Sequence, residues 1–189
     1  MSELEKEIKE RITSYAWDVV EGKILACQNI ILACKRFIAF LQRDDMYFDI
    51  EEVEKTIRFF GKFKHFTGQY NRHSFTLQEW QKFMLCGIYG FKWKKDDTRV
   101  TRTFILSVSR KQGKTSCISI MAIKALLEEN NAQVIVAANS ASQASILFKM
   151  ASSYLKSLGG KVDKLFRRFR DRIMFDKTDS VMRVVSADA

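Results

Sequence analysis

The chain has 189 residues, 47% hydrophobic and 29% charged, with four cysteines, two histidines and no proline. This composition supports one folded domain with an appendage and excludes a disordered chain, a disulfide-rich secreted scaffold and a proline-punctuated, loop-rich β fold. The net charge of +10 is lopsided: residues 1–60 carry 9 basic and 12 acidic side chains, whereas residues 61–189 carry 23 and 10. The skew predicts that the second part meets polyanions, either nucleotide phosphates or nucleic acid; a solubilising surface is the bland alternative.

The opening MSELEKEIKER is charged, which argues against a secretory signal, and no run of about 18 apolar residues follows to span a membrane. Leu4, Ile8 and Ile12 recur every four positions and predict an amphipathic helix. From Lys23 to Gln42, Ile24, Cys27, Ile31, Cys34, Ile38 and Leu41 step by three or four, which predicts a longer helix with one apolar seam. Cys27 and Cys34 share that seam and read as buried thiols. No C-x-x-C pair occurs, and His65 and His73 lie away from the cysteines, so no metal site is expected. Asp49, with Glu52 three residues on, predicts the capped start of a third helix whose buried face holds Val53, Ile57 and Phe60.

Residues 67–74, TGQYNRHS, read as a loop, and FTLQEWQKFMLCGIYGF as a helix capped by Thr76. Trp80 and Phe83 read as core. KWKKDDTR is a charged turn, and VTRTFILSVS is β-branched and apolar, hence a strand. TSCISIMAIKALLEEN is a helix with Ile118, Met121, Ala122 and Ala125 on one side. AQVIVAAN is a buried strand, and SASQASILFKMASSYLKSLGG is a helix stopped by two glycines. RIMF and VMRVVS are two more short strands. Strand–helix alternation from residue 100 implies βαβ units, a mostly parallel sheet and helices on both faces. The sequence stops directly after a strand, so it reads as a fragment of a longer protein.

Chemistry concentrates at SRKQGKTS, residues 109–116, between a predicted strand and a predicted helix. The usual phosphate loop is G-x-x-x-x-G-K-[ST]. Gly113, Lys114 and Thr115 match it, while Val108 stands where the first glycine is usual and reads as the last strand residue. Gly113 permits a turn that aims successive N–H groups at phosphates. Lys114 suits the β- and γ-phosphates, the Thr115 hydroxyl suits Mg²⁺, and the helix N-terminus adds its dipole. Arg110 and Lys111 add charge inside the loop, and Arg110 reads as a phosphate sensor or a finger in cis, or else as a solvated loop charge. The run Lys161–Arg172 holds six basic and two acidic side chains. It reads as a DNA-phosphate contact, a contact with a neighbouring subunit's nucleotide, or a solvated face, with Phe166 and Phe169 anchoring it to the core.

EGKILACQNIILACKRF, FTLQEWQKFMLCGIYGF, SRKQGKTS, AANSASQA and VVSADA, taken together, resemble the N-terminal ATPase part of tailed-phage terminase large subunits. The resemblance runs from about residue 18 to the end. Loops of that family often carry arginine and lysine before Gly-Lys-Ser/Thr and often lack the first glycine, which accounts for Val108. It implies an α/β, RecA-like P-loop NTPase: a three-layer sandwich with a mostly parallel sheet, incomplete here, spanning 67–189 after a helical segment 1–66. It implies ATP and Mg²⁺ as cofactors, held by Gln81, Ser109, Arg110, Lys111, Gln112, Gly113, Lys114 and Thr115. Of these, Gln81 would read adenine, Arg110 and Lys114 would act on the phosphates, and Thr115 would hold the metal. Glu79 stands where relatives often have proline, and Gln143 matches a family glutamine for which a helix cap or an interface contact is the favoured reading. Implied partners are double-stranded DNA, the portal, the small terminase subunit and further copies in a ring, in the cytoplasm of an infected or lysogenic bacterial host. No apolar run ending in Asp-Glu occurs here, and Asp188, followed by Ala189, is left unassigned. The family's hydrolysis pair and nuclease carboxylates would lie further on, so binding with little or no turnover is expected of these residues. The alternatives are another P-loop enzyme, helicase-like or a small-molecule kinase, and a basic nucleic-acid-binding module without turnover.

Overall fold

The computed structural model describes residues 2–65 and 73–186. The chain forms two compact units: residues 1–60 with 76–106, and residues 61–75 with 107–189. The first unit thus takes in the segment after Thr76 as well as the N-terminal helices, a division that differs from one boundary at 66/67.

The first unit contains α1 (Glu3–Arg11), α2 (Tyr15–Val20), α3 (Gln28–Phe40), β1 (Met46–Phe48), α4 (Ile50–Phe60) and α5 (Glu79–Leu85). A π-helical turn (Cys86–Gly90) and β2 (Phe91–Trp93) complete it. The helix starts follow local capping chemistry. Ser2 and Glu5 cap α1 reciprocally, and the Asp49 carboxylate accepts the Glu52 N–H at 2.9 Å, as the sequence predicts for α4. The predicted Thr76 cap is replaced by Gln78. Its side chain accepts the Gln81 N–H, while Gln81 Oε1 accepts the Gln78 N–H at 2.9 Å. An amide pair thus does the work usually given to Ser/Thr and Glu.

α3 begins later than the apolar seam suggests. Cys27 is its exposed N-cap, so the expectation of a buried thiol fails there, while Cys34 is fully buried. Burial pushes the Cys34 thiol up to about 11. The core of this unit is aromatic. Phe37 meets Trp17, Phe48, Phe83 and Phe91 edge-on, with ring centroids 5.2–6.0 Å apart. β1 pairs antiparallel with β2, Met46 opposite Trp93 and Phe48 opposite Phe91. Helical periodicity could not announce two three-residue strands. The turn after β2 has the predicted charged sequence, with Asp97 in the left-handed region at φ 58°.

The second unit holds α6 (Lys114–Glu128), β3 (Gln133–Ala138), α7 (Ala141–Ser157), α8 (Gly160–Asp163), β4 (Phe166–Arg168), β5 (Arg172–Phe175) and β6 (Ser180–Ser186). The α/β alternation is as predicted, but the four-stranded sheet, in order β3-β6-β5-β4, is mixed. β3 and β6 run parallel, and β6–β5 and β5–β4 run antiparallel. The expectation of a mostly parallel sheet is therefore not met among the described residues. The cause is the tight β5–β6 turn, which reverses the chain without a crossover helix.

Ile173, Phe175 and Met182 are buried on the face against which α6 and α7 pack, whereas Ile135 and Val185 on the opposite face are 63% and 45% exposed. Helices cover one face, not two, among the described residues. VTRTFILSVS forms no strand either: residues 101–109 have strand propensity, but no described strand lies alongside to complete a ladder. Most of the predicted loop 67–74 falls outside the described residues.

Two predictions follow from the first unit. A Cβ at Gly90 would stand 2.2 Å from Cε2 of buried Phe48, inside the ring cluster. Gly90→Ala is expected to cost about 1–3 kcal/mol of unfolding free energy, read as a lower urea midpoint. Asp49 also accepts from Lys92 Nζ at 2.7 Å. Burial raises its pKa, but Lys92 and the Glu52 N–H outweigh that and hold the carboxyl below its usual range. A depressed folded pKa gives stability that is complete above the unfolded value of about 3.9 and fades as pH falls through the lower folded value. The stability gap between wild type and Asp49→Asn, which keeps a competent cap, should be widest near neutral pH and close below about pH 4.

Candidate nucleotide-binding site

The loop before α6 is built by two left-handed residues. Lys111 sits at φ 68°, and Gly113, the N-cap of α6, at φ 75° and ψ 8°. The glycine is needed here, because any Cβ is strained in this region. Without a side chain of its own, Gly113 leaves the first-turn N–H groups of α6 uncapped, and no side-chain cap is present. Its carbonyl opens the helix ladder by accepting the Cys117 N–H at 3.0 Å.

Lys114, the first helical residue, folds back across the loop, and its Nζ donates to the Val108 carbonyl at 2.8 Å. The amine is thus drawn over the concave side of residues 108–114. Val108, the position that departs from the usual motif, supplies the carbonyl that holds it. Ser109, Arg110, Lys111 and Gln112 are exposed, while Gly113, Lys114 and Thr115 are half-buried. The Arg110 guanidinium and the Thr115 hydroxyl make no hydrogen bond among the described residues, so both are available to a ligand. Positive groups and helix N–H donors converge with no carboxylate among them, which favours an anion.

α6 is a firm base for this loop. Cys117, Ile120, Ile123 and Leu126 are fully buried. Ile118, grouped by the sequence on one side with Met121, Ala122 and Ala125, is 42% exposed, because the inward stripe runs through Cys117 instead. Burial pushes the Cys117 thiol up to about 12, so it behaves as an inert core group. Ser119 Oγ donates to the Leu147 carbonyl of α7 at 3.3 Å. At the far end, Thr178 and Ser180 hydroxyls donate to the Leu126 and Glu129 carbonyls at 2.7 and 2.8 Å, satisfying groups that the helix leaves over.

The other sequence-predicted residues are placed as follows. Gln81 lies in the first unit and the loop in the second. Gln81 is buried, and its Oε1 is engaged by the Gln78 N–H, a capping role that no adenine-reading motif would suggest. Gln143 is exposed near the start of α7, where its N–H is capped by Ser140 Oγ at 3.4 Å; the cap thus involves its backbone and not its side chain. Asp188 lies outside the described residues. Among the described residues no group of three or more His, Cys, Asp or Glu is arranged to hold a metal, and no helix is long and apolar enough to cross a membrane. A cleft of about 520 Å³ in the first unit, lined by Arg36, Phe40, Phe83, Arg102 and Phe104 among others, contains none of the predicted residues.

No curated protein matches the chain. The crystal structure of the HK97 bacteriophage large terminase is similar in fold, with a TM-score of 0.60 and 23% identity over 72% of this chain. The chain spans 28% of the length of that structure. The family model for the terminase large subunit, ATPase domain, matches residues 79–189, more than half of the chain and all of the phosphate-loop segment. The chain belongs to the terminase large subunit ATPase-domain family.

Proposed function

We propose that this chain is the ATP-binding part of a phage DNA-packaging motor and that residues 109–115 hold the triphosphate. The observation that carries the reading is the left-handed Gly113 at the head of α6, with the Lys114 amine drawn across the loop onto the Val108 carbonyl. A carbonyl oxygen is a weaker acceptor than a phosphate oxygen. An incoming triphosphate would take the amine from Val108 and gain the α6 N–H donors in the same movement.

Each residue then has a defined task. The backbone of Gln112 and Gly113 would wrap the β-phosphate, with Ser109 and Lys111 closing the loop's outer side. Lys114 would bridge β- and γ-oxygens, and Arg110 would grip the γ-phosphate with its two-pronged guanidinium. The Thr115 hydroxyl would be the protein's ligand to Mg²⁺, whose charge would offset that of the phosphates. Gln81 is proposed to read adenine, its amide complementing N6 and N7 of that base. Its capping bond to Gln78 would hold the amide in one orientation. The RecA-like architecture, DNA translocation and cleavage by the whole protein, the ring of copies, the portal and small-subunit partners and the host-cytoplasm setting belong to the same proposal.

A fluorescent ATP analogue with Mg²⁺ tests it. Wild type should bind, Lys114→Ala should bind at least about tenfold more weakly, and Gly113→Ala should weaken binding too, by straining the turn. Equal affinity in wild type and Lys114→Ala would overturn the reading in favour of a basic module that does not use nucleotide. These 189 residues contain no Asp-Glu pair after an apolar run. Little hydrolysis should therefore accompany binding in a phosphate-release assay.

A further inference from the structure

α6 and α7 are joined by hydroxyls as well as by apolar packing. Ser116, in the first turn of α6, reaches two residues of α7 that lie one helical turn apart. Its Oγ donates to Met150 Sδ at 3.5 Å, and it is a hydrogen-bond partner of the Tyr154 hydroxyl. One turn further along α6, the Ser119 bond to the Leu147 carbonyl continues the same seam.

A tyrosine at this place carries a cost. Tyr154 is 1% exposed, so its hydroxyl is carried into the interior, where it is unfavourable unless paired. Burial pushes its pKa up, and the bond with Ser116 opposes that shift. Phenylalanine would supply nearly the same volume without a polar group to satisfy. The ring itself is fixed: fully buried Phe63 meets it edge-on, with centroids 5.4 Å apart. Phe63 lies in the segment between α4 and α5, and its carbonyl accepts the Phe75 N–H at 2.9 Å. Phe63, Ser116 and Tyr154 all belong to the second unit.

Helix chemistry defines what Ser116 would do without Tyr154. A serine hydroxyl inside a helix turns back to a carbonyl three or four residues earlier. Three residues earlier is Gly113, whose carbonyl accepts the Cys117 N–H and so opens the α6 ladder. That carbonyl shares its peptide plane with the Lys114 N–H, a first-turn donor without a side-chain cap. A second donor at the Gly113 carbonyl would pull on the plane and re-aim the Lys114 N–H.

We infer that Tyr154 is a positioning residue for the phosphate loop. By holding the Ser116 hydroxyl toward α7, it leaves the Gly113 carbonyl to the helix alone and keeps the Lys114 N–H aimed into the loop. Tyr154 itself touches no ligand. The inference rests on residues 109–115 holding a triphosphate, so its test has one arm with nucleotide and one without.

Both arms use the full 189-residue chain. In the first, the fluorescent ATP analogue with Mg²⁺ is titrated against Tyr154→Phe, Ser116→Ala and the double variant. Tyr154→Phe should bind about fivefold more weakly. Removing the misdirected hydroxyl as well should return the double variant to within about twofold of wild type. Ser116→Ala alone should also stay within about twofold, while its urea midpoint falls because the buried Tyr154 hydroxyl loses a partner. A merely structural tyrosine would instead give affinity losses that follow stability and add in the double variant. In the second arm, glycine carries ¹³C at its carbonyl and lysine carries ¹⁵N, so that only Gly–Lys peptide bonds report. The Gly113–Lys114 signal is the one that Lys114→Ala removes. Without nucleotide, it should move in Tyr154→Phe and return close to its wild-type position in the double variant. Wild-type affinity in Tyr154→Phe, a double variant as weak as Tyr154→Phe, or a Gly113–Lys114 signal that Tyr154→Phe leaves in place would each overturn the inference. Equal analogue affinity in wild type and Lys114→Ala would overturn the nucleotide reading instead, and the labelled signal would then decide the role of Tyr154.

Discussion

The second unit depends on one left-handed residue. Gly113 closes the turn at residues 110–113 and starts α6 in the same step, at φ 75°. A residue with a Cβ would resist that conformation, and the turn would widen. Two consequences follow from its tightness. The first-turn N–H groups of α6 lack a side-chain cap, so they present donors to whatever enters the loop. Lys114 also starts the helix close enough to Val108 to hydrogen-bond its carbonyl across the loop. That bond orients a flexible side chain with four rotatable bonds, so part of its ordering cost is met before a ligand arrives.

The helix must be fixed for this to matter. α6 is held along its length by Cys117, Ile120, Ile123 and Leu126, and at its end by the hydroxyls of Thr178 in the β5–β6 turn and Ser180 at the start of β6. That turn also sets the sheet register, because Ser180 accepts the Ala132 N–H at 3.0 Å just before β3. The same few residues that reverse β5 into β6 therefore stop α6 and start β3. The parallel β3–β6 pairing, Val134 opposite Met182, follows from that shared anchor.

The legible parts of the sequence were those whose signal is local. Asp49 capped its helix, Gly159 stands just past the end of α7 while Gly160 already begins α8, and Gly-Lys-Thr opened α6, because each needs only a few neighbouring residues. The illegible parts were relational. Whether VTRTFILSVS becomes a strand depends on a neighbour elsewhere in the chain, and propensity carries no information about that. Whether the sheet is parallel depends on the four residues between β5 and β6. Gln81 shows a subtler limit: its spacing and chemistry suit a base-reading amide and equally suit a cap for Gln78, and sequence offers no means of choosing. Phe166 and Phe169, three residues apart, differ in fate because one meets Phe175 across the hairpin and the other lies beyond the last strand pair.

Charge gives the same lesson in another form. A surplus of 23 basic over 10 acidic side chains from residue 61 onward is a bulk property, and bulk charge in water is screened over about 8–10 Å. What acts on a ligand is the part of the surplus not already neutralised nearby. Arg167 and Arg168 are neutralised by Asp176 and Asp163, and such exposed pairs add little to stability. Arg110 at the loop, and Arg170, Arg172 and Arg183 at the hairpin, are not. These are among the cations that the fold leaves without an ion pair in the described residues. Holding unpaired cations close together raises the energy of the free protein slightly, and a bound anion would return that electrostatic work.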